Sequence, residues 1–132
     1  MRVRCITTTI IYPDDSLKKS GWWHAEKYLT IGKEYEVYAI HTSWLNGIAC
    51  YLVCDDNYND MDYNYPIYIP TCYFEIVNNL KPSIWISPHN NPDYEGPIEL
   101  SPEKYESIVD GNPNSIASFR RIKFLLEGKD IL

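Results

Sequence analysis

No apolar run in this chain approaches the ~20 residues that a membrane-spanning helix needs. The opening stretch MRVRCITTTIIY is too short and too polar for a signal peptide. Both absences point to a cytoplasmic protein with no membrane partner. Histidine is scarce: His24, His41 and His89 are scattered singly, which reads as chance placement and not as a set of catalytic bases. There is no Gly-x-Ser-x-Gly sequence and no glycine-rich phosphate loop, and the carboxylates are too numerous to single out a catalytic pair. No enzyme is expected.

Cysteine is also sparse. Of the four, Cys50 and Cys54 have a spacing that invites a motif. On a strand they face the same way but lie ~13 Å apart, at ~3.3 Å per residue. A disulfide needs a Cα separation of ~4.4–6.8 Å, so the two can neither be bridged nor share a metal ion. Cys5 and Cys72 add no paired spacing that restores a zinc site. Free core thiols in a reducing compartment are expected, with no cofactor and no metal.

The last scarcity is regional. Residues 34–110 hold two Lys/Arg against thirteen Asp/Glu, whereas the flanks hold ten bases against five acids. A middle segment so acidic repels nucleic acid and attracts a basic partner. Abundance lies in the aromatics: twelve Tyr and four Trp favour strands and, for Tyr, recognition surfaces. At 132 residues the chain is a single domain, large enough to need no disulfide or metal to hold its core.

Residues 2–12, with the β-branched run Ile6–Ile11, read as a strand, closed by turn chemistry at Pro13-Asp14-Asp15-Ser16. Residues 17–28 are either a short helix broken at Gly21 or a loop with Trp22 and Trp23 folded onto the core. A strand at 34–41 places Tyr35, Val37 and Ala39 on one face and Glu34, Glu36 and Tyr38 on the other. Asn46-Gly47 is a hairpin turn, because both residues tolerate positive φ. Ile48–Cys54 is apolar enough for a central strand, and short strands follow at 67–70 and 73–78. Ile84-Trp85-Ile86 reads as one more strand. Ser101-Pro102 and Asn112-Pro113 both open helices: one over 102–109 presenting Tyr105, Ile108 and Val109, and one over 113–127 stopped by Gly128.

Within residues 29–78, Leu29-Thr30-Ile31-Gly32-Lys33-Glu34-Tyr35-Glu36-Val37, Tyr51-Leu52-Val53-Cys54-Asp55-Asp56, Tyr65-Pro66 and Phe74-Glu75-Ile76-Val77 form a pattern. It resembles the small SH3-like barrel proteins of bacteria and phages. The resemblance implies an α+β, β-rich fold, a barrel of five to seven strands with helices over 101–128 packed against it. It transfers no catalytic residue. The acidic, tyrosine-rich character also resembles, in style, the immunity proteins of polymorphic-toxin and contact-dependent inhibition systems.

The loop from Asp55 to Tyr65 is the candidate site. As a calcium loop it fails, with Asp60 where a glycine is needed and Pro66 where a bidentate Glu is needed. As a protein-binding loop it makes sense: Asp55, Asp56, Asp60 and Asp62 match basic residues of a partner, and Tyr58, Tyr63 and Tyr65 anchor it. Trp22 and Trp23 contribute a rim residue, and Asp93-Tyr94-Glu95 extends the same surface. The expected partner is a basic, nuclease-like toxin domain whose cleft is masked. The alternative is an aromatic groove of Trp22, Trp23, Tyr35 and Trp44 that binds a peptide.

Overall fold

The computed structural model describes residues 1–11 and 15–128. The first strand, β1 (Arg2–Cys5), buries Val3 and Cys5 fully and turns Arg2 outward. It stops well short of residue 12, because from Ile6 onward the backbone changes partners: Ile6 N–H donates to Tyr73 and Ile10 N–H to Trp23. Pro13 and Asp14 of the expected turn lie outside the described residues. Asp15 and Ser16 instead open a short helix, α1 (Asp15–Ser20), which Gly21 ends at φ +79°. Of the two readings of residues 17–28, the broken helix is the observed one.

Two antiparallel sheets follow, and the chain crosses between them three times, at two tight corners and once along the connection 79–93. Strand β2 (Glu34–Glu36) and strand β3 (Ala39–Leu45) are nearly continuous in sequence but belong to different sheets. At the corner, Val37 N–H donates to Met1 of one sheet and Tyr38 N–H to Leu52 of the other. This corner breaks the expected alternation. Tyr38, expected to share the outer face with Glu34 and Glu36, is buried, and Ala39 faces a different core from Tyr35. Strand β4 (Ile48–Val53) returns from β3 through Asn46-Gly47, whose φ values of 49° and 91° supply the positive-φ pair of a tight hairpin. Strand β5 (Ile67–Pro70) pairs with β4, and a 3₁₀ turn at Thr71–Tyr73 forms the second corner, leading into β6 (Phe74–Asn78).

The sheet orders are β2-β1-β6 and β5-β4-β3-β7, where β7 is the two-residue strand Tyr94–Glu95. The fold is therefore α+β, with three strands in one sheet and four in the other and no closed barrel among the described residues. β1 is the centre of its sheet and not an appendage to the 29–78 core. Ile84-Trp85-Ile86 makes no strand; a single bridge joins Ile86 to Gly96.

The four-stranded sheet is the middle of three layers. On β4, Tyr51 and Val53 face the three-stranded sheet, while Cys50 and Leu52 face the helices. Burial on both sides explains why Ile48–Val53 reads as an almost unbroken apolar run. The outer layer is α2 (Pro102–Val109) and α3 (Pro113–Leu126). Asn112 caps α3 by accepting from the backbone N–H of Asn114 and Ser115, and Pro113 occupies its first turn. On α3, Phe119 and Ile122 are buried against the sheet, and on α2 Tyr105 and Ile108 are buried while Val109 stays exposed.

Candidate functional site

Loop 54–66 joins β4 to β5, and its polar residues divide into three environments. Asp56 holds the loop to the turn before β2. Its carboxylate accepts from Thr30 Oγ1 at 2.6 Å, Lys33 Nζ at 2.8 Å and Tyr35 Oη at 2.8 Å. Burial alone raises a carboxylate pKa, but these three donors outweigh it and hold Asp56 below its ordinary value. Tyr58 and Asp60 hold the loop to α3. Tyr58 packs its ring edge-on to Phe119 and lies under Lys123 Nζ at 5.2 Å. Arg120 donates to the Asp60 carbonyl at 2.7 Å and lies 3.9 Å from its carboxylate.

The third environment is a cavity of about 640 Å³ lined by Tyr28, Asp55, Asn57, Tyr63, Tyr65 and Ile67, with Lys27 beside them. Three hydrogen bonds fix its walls: Asp56 N–H to the Tyr28 carbonyl at 2.9 Å, Asn57 Nδ2 to the Lys27 carbonyl at 3.0 Å, and Asn59 N–H to the Tyr63 carbonyl at 2.9 Å. The Tyr28 ring is backed by Trp22, with centroids 4.9 Å apart. Half-burial pushes the Asp55 carboxyl above its ordinary pKa, against a hydrogen bond from Asn57 Nδ2 at 3.1 Å. Beyond the cavity, Met61, Asp62 and Tyr63 form the exposed tip, which Asn59 Oδ1 shapes by accepting from the N–H of residues 61 and 62. Asp55 and Asp62 enter no ion pair among the described residues.

The expected site residues are thus only partly brought together. Asp55, Tyr63 and Tyr65 share the cavity, with Asp62 next to them at the tip. Asp56 and Asp60 are tied to the molecule's own cations, and Tyr58 is turned toward α3. Trp22 is half-buried behind Tyr28, and Trp23 is exposed, its ring tilted against His24 with centroids 4.0 Å apart. Asp93-Tyr94-Glu95 does not extend the surface, because β7 lies at the edge of the sheet opposite β5. There Tyr94 is fully buried and donates to the Pro97 carbonyl, Asp93 accepts from Thr42 and Ser43, and Glu95 pairs with Lys81 at 2.9 Å. The aromatic groove is not assembled either. Tyr35 is buried in the core between the sheets, whereas Trp44 stacks on Tyr68 at 4.1 Å on the helix side. Tyr28 and Ile67 were missed by the sequence reading; the Asn57-to-Lys27 contact that recruits residue 28 spans 30 positions and leaves no local signal.

The regional charge imbalance also contracts in three dimensions. Arg2 and Arg4 lie between Glu34, Glu36 and Glu75 across the three-stranded sheet, with contacts from 2.9 to 3.8 Å. Bases from the flanks thus meet acids from the middle. Among the described residues no three His, Cys, Asp or Glu side chains converge as metal ligands, and no helix is long and apolar enough to cross a membrane. Comparison of the chain with protein-family models, with curated proteins and with solved structures returned no match.

Proposed function

We propose that this chain is a non-enzymatic binding protein. In this reading it is a cytoplasmic immunity protein that masks the active cleft of a basic, nuclease-like toxin domain with the tip and cavity of loop 54–66. The observation that carries the reading is the cavity itself: a half-buried carboxylate with no ionic partner among the described residues, surrounded by tyrosines, next to an exposed Met61-Asp62-Tyr63 tip. Aromatic rings in a desolvated pocket supply interface hot spots, and a rim carboxylate steers a cationic partner. The negative charge of this face disfavours nucleic acid as the ligand. The same reading treats β1–β6 as an open SH3-like arrangement. Its support is the β2–β3 corner and the 3₁₀ turn before β6, where one chain passes between two small sheets.

The test is co-expression with the product of the gene adjacent to this chain's own, which the reading expects to be a basic toxin. Growth is rescued by the wild type, and the purified pair associates more slowly as salt rises. The combined change Asp62→Asn and Tyr63→Ala weakens the complex at least tenfold and flattens its salt dependence. Affinity and salt dependence that ignore both changes overturn the reading.

A further inference from the structure

Resting on that reading of the loop, we propose that the cavity is a receptor for one arginine side chain of the partner, whose guanidinium stacks between the tyrosine rings and pairs with Asp55. The walls are rigid before any ligand arrives, since backbone and side-chain bonds anchor residues 27–28, 55–59 and 63 to one another. A pre-formed pocket loses little entropy when it closes on a side chain. Its volume of about 640 Å³ lies in the range of ligand sites and admits the residue together with part of its flanking chain.

The lining selects the chemistry. Tyr28 and Tyr63 keep ring surface exposed, and Tyr65 is half-buried at the wall. Tyrosine faces attract a cation through the ring quadrupole, and a planar guanidinium stacks on them while an ammonium does not. Asn57 Nδ2 donates to Oδ2 of Asp55, and the backbone N–H groups of Asn57 and Asp55 also face the carboxylate. All three donors are neutral, so the carboxylate keeps its charge uncompensated and has lone-pair capacity left for a charge-assisted donor. A half-buried carboxylate without a cation is electrostatically costly, and a cation entering from solvent removes that cost. Guanidinium is more weakly hydrated than ammonium and is therefore cheaper to bring in. Among the described residues Lys27 is the one base on the cavity wall, and its charge opposes the ligand.

The experiment is a nuclear magnetic resonance titration of the purified full chain with acetyl-Gly-Arg-Gly-amide and with the matched citrulline and lysine peptides. The arginine peptide shifts the ring resonances of Tyr28, Tyr63 and Tyr65 saturably in the millimolar range. Citrulline, which keeps the shape and loses the charge, binds at least tenfold more weakly, and the lysine peptide lies between. Asp55→Asn preserves the shape and the Asn57 contact yet abolishes the shifts, as does Tyr63→Leu at an exposed position; Lys27→Met strengthens them. Equal responses to arginine and citrulline, or shifts that survive Asp55→Asn in a variant with a normal melting profile, overturn the inference. Failure here with the toxin complex still sensitive to the tip removes the arginine receptor alone. Arginine binding without growth rescue removes the toxin reading and leaves the receptor.

Discussion

Replacing Asp56 with alanine separates a structural aspartate from a binding one. The substitution removes the shared acceptor of Thr30, Lys33 and Tyr35. The three donors do not count equally. Lys33 is half exposed, so its ion pair contributes at most about 1 kcal/mol. Thr30 is exposed, and its hydroxyl turns to water at little cost. Tyr35 is 5% exposed, and its hydroxyl loses a charged acceptor, a loss of about 1.5–3 kcal/mol. Asp56→Ala therefore destabilises by about 2–3 kcal/mol, which for 132 residues lowers Tm by roughly 7–11 °C. Urea or thermal denaturation measures this directly, and the pH dependence adds a signature. Because the folded-state pKa of Asp56 lies below its ordinary 3.8, its contribution is complete above that value and is lost as pH falls through the folded pKa. The gap between wild type and variant is thus flat from pH 5 to 7 and closes toward pH 2. A variant as stable as the wild type, or a gap that is constant in acid, refutes the assignment of Asp56 to the scaffold.

The remaining predictions probe the layers around the loop. Gly96 is buried, and Gly96→Ala places a Cβ 2.6 Å from both Ala39 Cβ and the Tyr94 hydroxyl, so it costs about 1–3 kcal/mol by denaturation. Phe119→Ala empties the fully buried contact between α3 and the sheet beside Tyr38, at about 3–5 kcal/mol. Thiol labelling under native conditions finds one fast cysteine, the exposed Cys72; buried Cys5 and Cys50 react only on unfolding, and the half-buried Cys54, like Cys50 pushed up to about 12 by desolvation, reacts slowly. Asp55→Asn raises Tm at neutral pH: with the folded pKa raised, the group's stabilising contribution is present in acid and lost as pH rises through that pKa.

Local chemistry was legible where it is local. Asn46-Gly47, Gly21 and Asn112-Pro113 each carry their conformational reason in one or two residues, and the structure places a turn, a helix stop and a helix start there. Two-sided burial of β4 was legible as an apolar run. The corner at Val37–Tyr38 was not, since alternation continues across it in sequence while the two sheets it joins demand different faces. Tyr94 was expected on the binding surface because acids flank it, yet the bridge from Ile86 to Gly96 folds its segment back over the helix-side core. The site divides on the same line. Asp55, Tyr63 and Tyr65 were found from composition, but Tyr28 comes from a segment fixed only by tertiary hydrogen bonds.

Segment charge misleads for a related reason. Coulomb energy follows distance in space, and Arg4 meets Glu75 across 71 positions, at 2.9 Å. Once such pairs form, the acidic middle of the chain is no longer a uniform field, and under the proposed binding role the charge available to a partner is concentrated in those carboxylates without a cation among the described residues. On this loop those are Asp62 in solvent and Asp55 in the cavity wall. They have different physical capacities. A solvated carboxylate acts at a range of about a Debye length and mainly raises the encounter rate. A half-buried one acts only on contact, and removing the matching charge then leaves it desolvated and unpaired, so it governs how long the complex lasts. Kinetics on Asp62→Asn and Asp55→Asn should therefore separate cleanly, the first lowering the association rate and the second raising the dissociation rate. A common change in both rates for both variants would mean that the two acids act as one diffuse patch.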